Sequence, residues 1–211
     1  MITATLKTPF ITGGGYMTFD ALLASILFDQ IGDVGEAHAS IPIKCTDGLY
    51  HASAAYYELI DQSRVAFVAN MRADHALDAD LIHKKADGST HKRLGRLRRS
   101  DFGAVMNSYT LLAAETITWF VEGDREVIHN LVSEVAFIGK RRASGNGEVS
   151  NWTIEDGELN GLLGLQNEPL RPIPEDMFNG DTSALRVDTG WKPAYWDPVN
   201  RAICYVPDTL L

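Results

Sequence analysis

Cysteine is scarce: Cys45 and Cys204 are the only two in 211 residues, and neither sits in a C-x-x-C pair. A secreted disulfide framework and a zinc ribbon are both disfavoured. Long hydrophobic runs are missing too. The longest, Ala21–Phe28, falls far short of the ~20 residues a membrane helix needs. The opening Ile2-Thr-Ala-Thr-Leu-Lys7 has no charged segment before an apolar run, so no signal peptide is read. A cytoplasmic protein without membrane contact is therefore expected, and the sequon at Asn151-Trp-Thr is taken as a chance match. No internal repeat is found.

What is present is ordinary in amount. Hydrophobic residues make up 45% and charged residues 22%, near the averages for soluble globular domains. A chain of this length buries about 70% of its unfolded surface, so its core needs no disulfide or metal.

The charge is distributed unevenly. A net charge of −9 argues against a nucleic-acid binder. Yet Lys84, Lys85, Lys92, Arg93, Arg96, Arg98 and Arg99 stand together against a single Asp87. A second cluster, Lys140, Arg141 and Arg142, has no acid between Gly139 and Gly147. Outside these two segments acids outnumber bases by 27 to 9. Two basic patches on an acidic body point to a polyanion as partner. The plainer alternative for each is a solvated surface loop.

The periodicity predicts a strand at Ile2–Lys7 and a glycine loop at Gly13-Gly-Gly-Tyr16. A helix capped by Thr18 should run to about Gln30, burying Phe19, Leu22, Leu23, Ile26 and Leu27. Leu49–Leu59 and Arg64–Ala69 read as an antiparallel pair turning at Asp61-Gln-Ser. After the basic stretch, regularity returns from Tyr109 to Val121. Asp124 is the expected N-cap of a second helix to about Val135, with Val127, Ile128, Leu131, Val132 and Val135 on its buried face. The loop 139–147 and a strand through Glu148–Glu155 follow. This order gives an α+β fold close to a β-α-β-β-α-β ferredoxin-like (RRM-like) unit. The expected division is a domain over 1–168 with a basic insertion at about 74–104, and a C-terminal extension, 169–211, packed on it.

Glycines at 139, 145 and 147 permit positive φ and let backbone amides approach a phosphate. Arg141 and Arg142 add forked contacts to phosphate oxygens. The loop joins a helix end to a strand, and G-x-x-x-x-G-K-[ST] is absent, so ATP and dinucleotide readings are set aside. Tyr16, His91 and Tyr109 are candidates for stacking on unpaired bases.

The spacing of His75, His83 and His91 suits no zinc site, and Asp74, Asp78 and Asp80 read as a solvated face. No cofactor and no metal is expected. No Ser-His-Asp or Cys-His set can be assembled, and no enzyme is expected.

The Gly139-Lys-Arg-Arg-Ala-Ser-Gly-Asn-Gly147 loop between the last helix and last strand of such a unit resembles the glycine-rich loop of the CRISPR-associated RAMP superfamily. Thr8-Pro-Phe, Phe19-Asp-Ala-Leu-Leu-Ala24, Trp119-Phe-Val-Glu-Gly-Asp124, Arg171-Pro-Ile-Pro-Glu175 and Lys192-Pro-Ala-Tyr-Trp196 look like the Cas-five-like subunit that caps type IV effector complexes. The resemblance covers most of the chain. It implies a RAMP domain that binds the 5′ handle of the CRISPR RNA and adjoins the backbone RAMP subunits and the large subunit. Through that complex it would also meet target DNA.

On this reading Gly139, Lys140, Arg141, Arg142, Ser144, Gly145, Asn146 and Gly147 contact the handle. Lys84, Lys85, Lys92, Arg93, Arg96, Arg98 and Arg99 grip RNA from the place of a thumb-like hairpin. Asn146 departs from the pattern, because an aromatic often takes the middle of Gly-x-Gly. The Pro-aromatic C-terminus, with Trp191, Tyr195 and Trp196, is a candidate docking surface for neighbouring subunits.

The expected function is thus an RNA-binding structural subunit of a type IV ribonucleoprotein for defence against plasmids or phage. One alternative is a metal-independent endoribonuclease that processes precursor CRISPR RNA, with His51, His83 or His91 as acid or base. Another is a domain whose basic loop meets an acidic protein.

Overall fold

The alternating residues at the N-terminus form β1 (Ile2–Leu6), with Ile2 and Ala4 turned into the core. A computed structural model of the chain describes residues 1–69, 87 and 105–208. After β1 come β2 (Phe10–Ile11), α1 (Phe19–Ile31), α2 (Val34–Ala39), β3 (Cys45–Thr46) and β4 (Leu49–Tyr50). Then follow β5 (Asp61–Ala69), β6 (Val105–Ala113), β7 (Thr116–Trp119), α3 (Arg125–Ser133) and β8 (Val149–Ile154). The C-terminal part holds β9 (Ile173–Pro174), β10 (Arg186–Gly190) and β11 (Arg201–Tyr205). The fold is mixed α+β, built from small antiparallel sheets and few helices.

The central sheet has the order β7-β1-β8, with β1 antiparallel to both neighbours. Ile2 faces Trp119 on one side and Ile154 on the other. Beyond β7 the segment 52–56 extends this sheet, through antiparallel bridges Tyr56 to Thr118 and Ala52 to Val121. Phe19, Leu23 and Leu27 of α1 and Ile128 and Val132 of α3 close the same core. Fully buried Trp119 lies at its centre, tilted against Phe19 at 5.5 Å and stacked on Trp152 at 6.0 Å. Such aromatic pairs add to the stabilisation that area burial already supplies.

The helix ends follow their local chemistry. Gly32 takes a left-handed φ of 81° and its N–H closes α1 on the Phe28 carbonyl at 2.8 Å. Asp124 caps α3 by accepting from the amides of Glu126 and Val127. α3 stops at Ser133, short of the expected Val135, and Val127 is 44% exposed rather than buried.

Two expectations are corrected. Leu49–Leu59 and Arg64–Ala69 do not pair: β4 pairs with β3, 52–56 joins β7, and β5 pairs with β6. The reason lies in residue size. Ala52, Ser53, Ala54 and Ala55 are small and buried, and they fit where the chain passes between β7 and the start of α1. Thr18, in turn, stands at the N-cap of α1 without a side-chain cap bond. Its hydroxyl donates instead to the Tyr195 hydroxyl at 2.7 Å.

The chain divides into two compact units, 1–62 with 111–211, and 63–110. The first holds the central sheet, the helices and the whole C-terminal segment, where β11 lies between β10 and β9. In the second, Phe67 and Tyr109 meet edge to face at 5.9 Å.

Candidate functional site

The loop between α3 and β8 is pinned at its base. Phe137 bridges Glu148, and the Ile138 amide donates to the Gly147 carbonyl at 2.9 Å. It is also tied to β2 and the residue before it: Lys140 N–H donates to the Ile11 carbonyl (2.7 Å) and Gly147 N–H to the Pro9 carbonyl (2.8 Å). Both anchoring glycines have positive φ, 80° at Gly139 and 73° at Gly147. A Cβ there would stand 2.5 Å from the Ile11 carbonyl oxygen and 2.0 Å from that of Ile138. The tip is a 3-10 turn, Arg142–Ser144, that ends at Gly145.

Inside the loop, Ser144 and Gly145 donate to the carbonyls of Arg141 and Arg142. The Asn146 side chain donates to the Arg141 carbonyl at 3.2 Å. The amides of Lys140, Ser144, Gly145 and Gly147 are therefore engaged within the protein and do not face an anion. At its tip the loop also presents side-chain charge. Among the described residues no carboxylate pairs with Lys140 or Arg142, and Arg142 is exposed.

Lys140 and Arg142 line a cleft of about 910 Å³. One wall is the glycine loop at 13–15 with Tyr16 and the first turns of α1; the other is Val187–Gly190 with Tyr195, Trp196 and Arg201. The two glycine loops touch, since a Cβ on Gly13 would lie 3.2 Å from Lys140 Cε. Arg201 pairs with Asp188 at 3.3 Å, so among the described residues the charge left over in the cleft is positive. The half-buried Tyr16 has its hydroxyl pKa raised by burial.

The C-terminal wall is held by a buried ionic hub. Arg171 is wholly buried, and its two terminal nitrogens face the two Asp20 oxygens at 3.3 Å each. They also donate to the carbonyls of Tyr50, Ala52 and Trp191 and to the Tyr195 hydroxyl. That hydroxyl donates to Asp20 at 2.7 Å. Burial would weaken the Arg171 charge, but Asp20 and Tyr195 more than offset it and its pKa is raised. Burial likewise holds the Tyr195 hydroxyl protonated. Arg171 Nε is buried without a partner, the only such side-chain atom among the described residues.

Of the sequence candidates, Lys84, Lys85, Lys92, Arg93, Arg96, Arg98 and Arg99 lie outside the described residues, as do His75, His83, His91, Asp74, Asp78 and Asp80. His51 is buried, with one ring nitrogen 2.9 Å from Thr46 Oγ1 and the other 2.9 Å from Glu122. Burial lowers its pKa against the opposing pull of Glu122. Both nitrogens are thus occupied by the protein's own groups. Among the described residues no three His, Cys, Asp or Glu cluster as metal ligands, and no helix is long and apolar enough to cross a membrane. Sequence reasoning missed the opposite wall of the cleft, Val187–Gly190 and Arg201, because no local pattern marks it.

Residues 100–207, just over half of the chain, match the family of CRISPR type IV associated protein Csf3. The chain belongs to the Csf3 family. The match takes in the glycine loop, the Arg171 hub residue and the C-terminal wall of the cleft, while the basic segment 84–99 precedes it. A search of the curated proteins returned no match. Membership makes the chain a component of type IV CRISPR complexes.

Proposed function

We propose that this Csf3 family member is a non-catalytic, cytoplasmic RNA-binding subunit that holds the 5′ handle of the CRISPR RNA and caps the backbone of a type IV complex. The observation that carries the reading is the positive cleft: Lys140 and Arg142 line it from a glycine loop, with no carboxylate partner among the described residues, in a chain of net charge −9. Unpaired RNA offers such a cleft phosphates for the cations and base edges and 2′-hydroxyls for discrimination from DNA. The strand order β8-β1-β7 followed by 52–56, with α1 and α3 in the two crossovers, supports a ferredoxin-like RAMP domain. The basic segment 84–99 supplies further cations on this reading.

The test is binding of labelled CRISPR RNA with and without its 5′ handle, over a salt series, with each reaction run on a denaturing gel. Handle-dependent binding, intact RNA and a log–log salt slope of about −0.7 per phosphate contact are expected. No binding, by the chain alone or with its complex, overturns the reading. A cut product replaces it with the endoribonuclease.

A further inference from the structure

Trp196 leaves 79% of its surface in solvent, although a tryptophan ring is among the largest apolar surfaces a protein can bury. The exposure does not come from a loose chain end. On one side of it Tyr195 is anchored in the Arg171–Asp20 hub. On the other, the Asp197 amide donates to the Ala194 carbonyl at 3.0 Å, and its carboxylate caps the turn Pro198–Asn200 through the Val199 amide. Asn200 Nδ2 also reaches the Ala194 carbonyl, at 3.1 Å. The backbone thus carries the ring on a fixed mount.

Trp196 lines the same cleft as Lys140 and Arg142. A π-face on an anchored backbone, lining one cleft with cations that have no carboxylate partner among the described residues, is the combination that holds an unpaired nucleotide, whose base stacks while its phosphate is neutralised. An apolar protein partner would use the ring but leave Lys140 and Arg142 without anions. The charge therefore favours RNA.

Resting on the RNA reading above, we propose that Trp196 is a stacking platform for one unpaired base of the bound RNA. The contact is independent of the glycine loop's charge and fixes the position of the strand in the cleft.

The experiment compares wild type, Trp196→Ala and Trp196→Phe for handle-containing RNA, using the chain alone or, where only that binds, the assembled complex. Trp196→Ala is expected to weaken binding roughly 5- to 100-fold and Trp196→Phe to keep most of the affinity. The salt slope should stay the same in both, because the ring carries no charge. Scanning single abasic sites along the handle should find one position at which Trp196→Ala costs nothing further. Wild-type RNA affinity in Trp196→Ala overturns the proposal while leaving the RNA reading intact. If that variant instead loses only its association with other subunits, the ring is a protein-docking contact and the proposal is wrong. If the wild type binds no RNA in either form, the RNA reading fails and the proposal falls with it.

Discussion

Arg171 shows how much one side chain can decide. It joins α1 through Asp20, the segment at 50–52 through two carbonyls, and the C-terminal segment through Trp191 and Tyr195. Removing either charge leaves the other buried and uncompensated. Arg171→Met or Asp20→Asn should therefore each destabilise the fold by about 3–5 kcal/mol. The double variant should lose less than the sum of the two, and urea unfolding measures all three. Additive losses would show that the pair is not coupled. In the sequence Arg171 is singled out only within the Arg171-Pro-Ile-Pro-Glu175 segment that carries the resemblance, and arginine is almost never fully buried unless paired. Its partner lies 151 positions away, and no local pattern announces such a pair.

At the scale of an element, the glycine loop separates two uses of one residue type. Gly145 has a φ of 80° but open space around its Cβ position, whereas at Gly147 a Cβ would press on the Ile138 carbonyl. Gly145→Ala should cost about 1–2 kcal/mol, the conformational term alone. Gly147→Ala should cost more, because the carbonyl must move as well. Thermal or urea unfolding decides; equal losses would mean that close approach is not the constraint. The place of the loop was legible from three glycines and three cations in nine residues. Which glycine is crowded was not, since that depends on how the loop closes, with Gly147 against the Ile138 carbonyl and Gly139 against that of Ile11. Strand pairing followed the same rule. β1 and α1 are readable from their own periodicity, but the partner of 52–56 is not, because its small buried residues suit β7 rather than the nearest strand in sequence.

For the whole molecule, acid sensitivity follows from His51. Its folded pKa lies below the ordinary 6.5 because burial disfavours the charged ring. As pH falls through that ordinary value the unfolded chain takes up the proton first, so stability should drop, and go on dropping until the folded pKa is passed. The Glu122 carboxyl, held low first by its bond to Lys44 and then by His51, adds a loss in the same direction below its ordinary 4.5. His51→Gln should flatten the upper part of the curve, measured as the urea midpoint between about pH 7 and pH 5. An unchanged slope would assign the acid sensitivity to other groups.

Sequence alone determined the local features: the first strand, both main helices, the Asp124 cap, and the position and charge of the glycine loop. Periodicity, capping and turn chemistry depend on residues a few positions apart, and those are adjacent in any fold. Only the tertiary structure decided that residues 13–16, Lys140, Arg142, Val187–Gly190, Trp196 and Arg201 line one cleft. It also decided that Tyr195 is tied into the hub while its neighbour Trp196 stands in solvent. The physical reason is the Arg171–Asp20 pair: burying it requires the C-terminal segment to fold back on α1, and that return builds the second wall.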